Sequence, residues 1–444
     1  MSIPFGFSPN PGDGDNDMAA MFESLARLMR NGSSSDSAVN WDSAQAASVE
    51  AIKRAGDPTP SRADADAIQT AADLADLWLN DATAFPSTGV TCESISRGQW
   101  LGTTFEAWKA IVEPVADGVA SAMTSMMPDQ IPNGPMEVPE ELLAGLPPEL
   151  AEQMKAVLSS ADFGAMAQKM MSVAKSMGAT MFGMQFGQAL GDMATEVLSS
   201  SDIGIPLMAE AKPALVSANV ANFTEGMAVE PNDVRIYIAL RELAHMRLFN
   251  AAPWLQSQIH AAIGEYARGV VLDTARIEEA MRDVDPQNPD SLNELLGGNM
   301  FEASQTDAQR NALERLEAML ALIEGWVTVV VTQAVGNRLT TSKRLEEMFR
   351  RRRATGGPAE KLFAGLVGLE IHPRRIREAT ALWQRIGETS GIQERDTLWS
   401  HPDLLPRSED LENPDSYFAN ENLDLMAELH KAIEAGSIDD PEDL

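Results

Sequence analysis

PNDVRIYIALRELAHMRLF, residues 231–249, decides how this chain reads. Pro231 suits the first turn of a helix, and the residues after it are good helix formers. At about 100° per residue, Val234, Ile238, Arg241, His245 and Phe249 share one face, with Glu242 at its edge. The helix is apolar over most of its surface, so it is expected to be buried. Arg241, Glu242 and His245 then need partners, because an unpaired buried charge is expensive.

Arg241 to His245 have the spacing of H-E-x-x-H, in which two His one turn apart hold zinc and the Glu polarises water. Here Arg241 stands at the first position. Spacing alone is equally compatible with a buried helix whose Glu242 and His245 are held by hydrogen bonds. A third group would make a site. Glu324, in MLALIEGWVTVVV, is the lone charged side chain between Ala318 and Asn337. A carboxylate on such an apolar stripe must be paired, ligated or protonated. Glu265, twenty residues after His245, is a rival in less apolar surroundings. His260 lies on the following helix and is a weaker candidate ligand.

The composition narrows the function classes. A hydrophobic content of 44% in 444 residues is globular and allows two or three domains or one large core. The formal net charge of −32 argues against nucleic-acid binding. Cys92 is the single cysteine, which excludes an internal disulfide and a cysteine-based zinc knuckle. No secretory leader is visible, so a cytoplasmic location is expected. The run Met319 to Val335 is interrupted by Glu324, Thr328, Thr332 and Gln333 and reads as a core helix, not a membrane span.

Along the chain the expected fold is mainly α, because no long alternating pattern occurs. Residues 1–35 read as a mobile tail carrying one amphipathic stretch, Met18 to Met29. Residues 36–130 form an N-terminal helical region, with helices near Asn40–Arg54, Ser61–Leu79 and Ser96–Met127. Residues 131–160 are a proline-dense acidic linker. Residues 161–410 form a second domain, opening with a helix from Ala161 to about Leu198. Gly183, Gly187 and Gly191 recur there on one face, which predicts close packing of another helix; its methionines read as gap-filling core. Ala214 to Val220 is the one short extended stretch expected. Helices are also expected over Asp307–Val335, 359–366 and Pro373–Ile386. Residues 411–444 are an acidic tail.

Several stretches resemble, in order, a zincin-like family of mostly actinobacterial proteins described as zinc-dependent metalloproteases. They are PFGF at 4–7, VNWDSA at 39–44, SSSDIGIPL at 199–207, LRELAHMRLFNAAPWL at 240–255 and LIEGWV at 322–327, with RRRATGGPAEKLFAGLVGLE at 351–370 and LWSHPDLLP at 398–406. The resemblance implies a helical, gluzincin-type domain. It implies Glu242 as general base, and His245 and Glu324 as zinc ligands. Arg241 is the departure. It replaces the first ligand His and cannot donate a lone pair, which puts zinc in doubt. Its guanidinium can instead sit where a cation belongs and pair with carboxylates.

Three readings follow. One is a zinc-dependent metallopeptidase using Glu242. The second is a degenerate metalloprotease acting as a binding or regulatory scaffold for a peptide or protein partner. The third is a hydrolase with an unrelated site. The run Arg350 to Arg353 is the one strongly cationic zone, either neutralising the chain's own carboxylates or docking an acidic partner.

Overall fold

The structure is a computed structural model, and it describes residues 37–125, 163–207, 212–225, 229–268, 306–354, 362, 375–415 and 417–418. Residues 1–36, the linker 131–160, most of the helix expected at 359–366 and most of the acidic tail lie outside this part.

The helix starts follow from local chemistry. The Asn40 side chain accepts from Ser43 N and starts α1, Trp41–Ala55. Ser61 and Asp64 form a capping box at the start of α2, Arg62–Leu79. Next come β1, Glu93–Ile95, then α3, Arg97–Ser125, and α4, Phe163–Ala194. β2 is Ala214–Val216, and α5, Ser217–Thr224, follows without a break. The extended stretch expected to Val220 therefore stops at Val216. β2 also has an unexpected partner, since β1 pairs with it in parallel, Ser94 opposite Leu215. Three-residue strands are too short for an alternation signal.

The remaining helices are α6, Pro231–Ala251; α7, Trp254–Arg268; α8, Asp307–Val335; and α9, Ser342–Ala354. α10, Ile376–Ser390, α11, Ile392–Thr397, and α12, Ser408–Glu412, complete the described α-helices. The fold is mainly α.

α6 is the centre. Residues 236 to 249 are all buried, as the opening stretch required. α2 and α8 both pack against it, and they also meet each other. α8 carries a capping box at Thr306 and Gln309. It is long and apolar enough to cross a membrane, but 72% of its most apolar window is buried inside the protein, so it is a core helix.

The glycine row on α4 meets α1. A Cβ on Gly183 would collide with Asn40 O, and one on Gly187 with Ala44 O. The methionines beside it differ from expectation: Met177, Met181 and Met184 are exposed, not core. The glycine face takes the helix–helix contact and leaves the methionine face outward.

Residues on both sides of the proline-dense stretch share one hydrophobic core, from Ala44 to Leu411. Two buried polar ties fasten the N-terminal helices to it. Arg247 on α6 donates to Asp76 on α2 and to Asn80 just past its end. Asp396 accepts from Thr83 Oγ1 at 2.6 Å, Ala84 N at 2.7 Å, Trp326 Nε1 at 2.8 Å and Arg395 Nε at 2.8 Å.

Candidate functional site

One turn separates Arg241 from His245, and both side chains point from α6 toward α8. Arg241 Nη2 donates to Glu324 Oε2 at 2.7 Å. His245 Nε2 lies 3.1 Å from Glu324 Oε1, and its Nδ1 lies 2.8 Å from the Arg241 carbonyl oxygen. A carbonyl only accepts, so Nδ1 carries a hydrogen. Nε2 faces the Glu324 carboxylate. All three residues are buried.

Arg353, near the end of α9, also pairs with Glu324 Oε2. Sequence reading placed it in a run of four arginines without separating it from the others. Arg350 and Arg351 do stay at the surface, paired with Glu347. Arg352 turns inward to Asp202 at 2.8 Å and to the Glu196 carbonyl at 2.6 Å. Asp202 also accepts from Leu198 N, which ties the 199–207 loop to the segment that follows α4. Phe349 lies under the Arg241 guanidinium at 5.3 Å, a cation–π contact that covers its apolar face.

Glu324 is the shared anion. Burial pushes its carboxyl up, but Arg353, Arg241 and His245 outweigh it and hold it well below the ordinary range. Asp202 is lowered too: burial opposes ionisation, and Arg352 with the Leu198 amide overcomes it. Burial disfavours the Arg241 cation, yet Glu324 raises its pKa overall. Gly204 closes the site from above with φ +73°, and a Cβ there would lie 2.9 Å from Glu324 Oε1. Only glycine lets the loop lie so close over the carboxylate.

Glu242 is not brought to this cluster. Its fully buried carboxylate accepts from the hydroxyls of Ser200 and Ser201, from Ser201 N at 3.0 Å and from Ala214 N at 3.2 Å. It anchors the loop and β2 to α6. Glu265 is elsewhere, paired with Arg315. His260 is half-buried, and burial lowers its pKa. Cys92 is buried and free, and burial, then Glu242, pushes its thiol up.

Beside the loop opens a cavity of about 190 Å³. Ser200, Ser201, Ile205, Met246, Phe249 and Gln256 are among its lining residues. The Phe249 ring lies 5.7 Å from that of His245, so the cavity adjoins the cluster.

A buried R-E-x-x-H helix facing a glutamate on a second helix is the arrangement of a zincin-like protein. The sequence pattern of the zincin-like metallopeptidase family matches residues 39–418, and the chain belongs to that family. No curated protein matches the sequence significantly. A crystal structure of a candidate hydrolase with a novel fold from Chloroflexus aurantiacus superposes with a TM-score of 0.53 at 18% identity. That similarity covers 86% of this chain and 99% of the other, and speaks to the fold.

The donor set bears on zinc. The cluster offers two groups able to give a lone pair, His245 Nε2 and Glu324, and Glu324 is already shared by two guanidinium groups. Catalytic zinc takes three protein ligands and a water. Among the described residues no three His, Cys, Asp or Glu side chains converge as such a site needs.

Proposed function

We propose that this chain keeps the zincin scaffold but fills the place of the metal with guanidinium groups, and that it works as a peptide- or protein-binding scaffold, not as a zinc hydrolase. The observation that carries this reading is Glu324 Oε2 accepting from both Arg241 and Arg353. Two cations already neutralise the carboxylate. A zinc ion added between them would have two ligands and two like-charged neighbours, an unfavourable site. Glu242 supports the same view, since four donors occupy its oxygens and it acts as a structural anchor. The adjoining cavity is of the size that takes one side chain, and its lining mixes apolar Ile205, Met246 and Phe249 with polar Ser200, Ser201 and Gln256.

Metal analysis of the purified protein tests this. Zinc is expected well below one equivalent, and His245→Ala should leave that content unchanged. Arg241→His should raise zinc affinity, most clearly combined with Arg353→Met. Stoichiometric zinc that disappears in His245→Ala would overturn the proposal. If peptide hydrolysis were also lost in Glu242→Gln, the protein would be a zinc-dependent peptidase. Hydrolysis that survives Glu242→Gln would instead point to a catalytic site elsewhere.

A further inference from the structure

α9 is held to the rest of the described residues by two different grips. From Ser342 to Arg353 its buried side chains are Leu345 and Phe349, one turn apart. The Phe349 ring meets Phe223 at 5.4 Å and Tyr237 at 5.3 Å. That seam is narrow for a helix of 13 residues, most of them charged. The near end of α9 is pinned. Leu339 is buried just before it, and Thr341 Oγ1 donates to Asp233 Oδ2 at 2.7 Å, at the start of α6. The turn that leads there from α8 opens on Gly336, with φ +47°. The grip of the far end is ionic, Arg352 on Asp202 and Arg353 on Glu324.

The far end is also the costly one. Arg353 and Arg241 converge on one oxygen, Glu324 Oε2, so each cation stands in the field of the other. Burial first, and Arg241 beside it, lower the Arg353 pKa in spite of Glu324, whereas Glu324 raises that of Arg241. Docking therefore disfavours the Arg353 cation relative to water. If Arg353 left, Glu324 would keep Arg241 and His245. Both ionic contacts also bear on the cavity. Asp202 belongs to the loop that supplies Ser200, Ser201, Ile205, Pro206 and Leu207 to the cavity wall. Gly204 of the same loop lies over the Glu324 carboxylate. Ser200 and Ser201 are fixed by Glu242, so the part free to move runs from Asp202 onward.

We propose that α9 is a strap that pivots about the 336–341 turn. Its far end lifts, Arg352 and Arg353 leave Asp202 and Glu324, and residues 202–207 loosen. The Arg241–His245–Glu324 cluster then opens to the cavity. The closed strap keeps a peptide partner out of the cluster. That regulatory role rests on the scaffold reading above; the motion of the strap does not.

Hydrogen exchange of the full chain, read by mass spectrometry, tests the motion. In the wild type, amides of residues 342–354 and 202–205 should exchange at least about tenfold faster than those of α6 and α8. Arg352→Gln/Arg353→Gln should speed both segments together and leave α6 and α8 as they were. Arg350→Gln/Arg351→Gln, on the outer side of α9, should leave residues 202–205 unchanged. Wild-type α9 exchanging as slowly as α6 overturns the proposal, and this comparison stands even if the inner double variant does not fold. So does a double variant in which α9 speeds up while residues 202–205 do not, since α9 would then merely fray. Acylation of His245 by diethylpyrocarbonate, mapped by peptide and scaled to the exposed His401, reads the opening of the cluster. It should be about tenfold faster in Arg352→Gln/Arg353→Gln. An unchanged rate would deny that the strap guards the cluster. Zinc content measured on the same samples judges the scaffold reading separately: stoichiometric zinc would overturn that reading and leave the exchange result standing.

Discussion

At the scale of residues, the electrostatics of Glu324 set the expectations. Removing one partner of a buried ion pair costs about 3–5 kcal/mol, because the other charge is stranded. Glu324→Gln strands two guanidinium groups, so its loss, read from urea unfolding, should fall in that range. Arg241→Met leaves Glu324 with Arg353 and His245 and should cost clearly less. The pH dependence has a definite sign. Glu324 and Asp202 are held below their ordinary values of 4.5 and 3.8. A depressed carboxylate contributes stability in full above its unfolded value and loses it as pH falls through the folded value. The urea midpoint should therefore drop on acidification below about pH 4.5. Glu324→Gln should show a shallower drop, and an acid limb as steep as the wild type's would count against the ion-pair account. Glu324 was legible in the sequence because a single charge in an apolar run must find a partner. Arg353 was not, since four consecutive arginines give no hint which will fold inward. Asp202 was hidden in a loop that read only as a helix break.

The elements show a division of labour along α4. Gly187 sits where a Cβ would press on the Ala44 backbone, which cannot retreat without moving α1. Gly187→Ala should cost at least about 1–3 kcal/mol as an overpacking change. Gly178, on the same helix, has nothing within 4 Å of a Cβ. Gly178→Ala should stabilise by roughly 0.5–1 kcal/mol through helix propensity. Thermal melts of the two variants should move in opposite directions; a shared direction would refute the close-packing account. The helices were legible because their caps are local signals, Asn40 and Ser61 among them. β1 was not, because Glu93–Ile95 becomes a strand only through Ala214–Val216. The outward turn of the methionines was equally invisible, since composition does not say which face of a helix α1 will cover.

For the molecule as a whole, described helices on both sides of the proline-dense stretch contribute to one core. α2 packs against α6, and Arg247 and Asp396 tie the N-terminal helices to the rest. Near- and far-ultraviolet unfolding curves should coincide, as for one cooperative unit. Asp396→Ala leaves the buried Arg395 without its carboxylate and should cost about 3–5 kcal/mol. Trp326, which donates to Asp396, would report the change in fluorescence. Two separated transitions would show that the segments 36–130 and 161–410 are held together only weakly. Cohesion across so long a chain was not readable, because a composition shift marks a loop but not whether the flanking helices meet again.

The Asp396 tie has a consequence for synthesis. Thr83 and its acceptor are 313 residues apart. At translation rates of about 5–20 residues per second, that separation is roughly 15–60 s of elongation. During that interval α2 and the loop after it have emerged without the partner that satisfies Thr83 Oγ1 and Ala84 N. The nascent N-terminal helices must wait with their apolar faces open, in a window where chaperones or neighbouring chains compete for them.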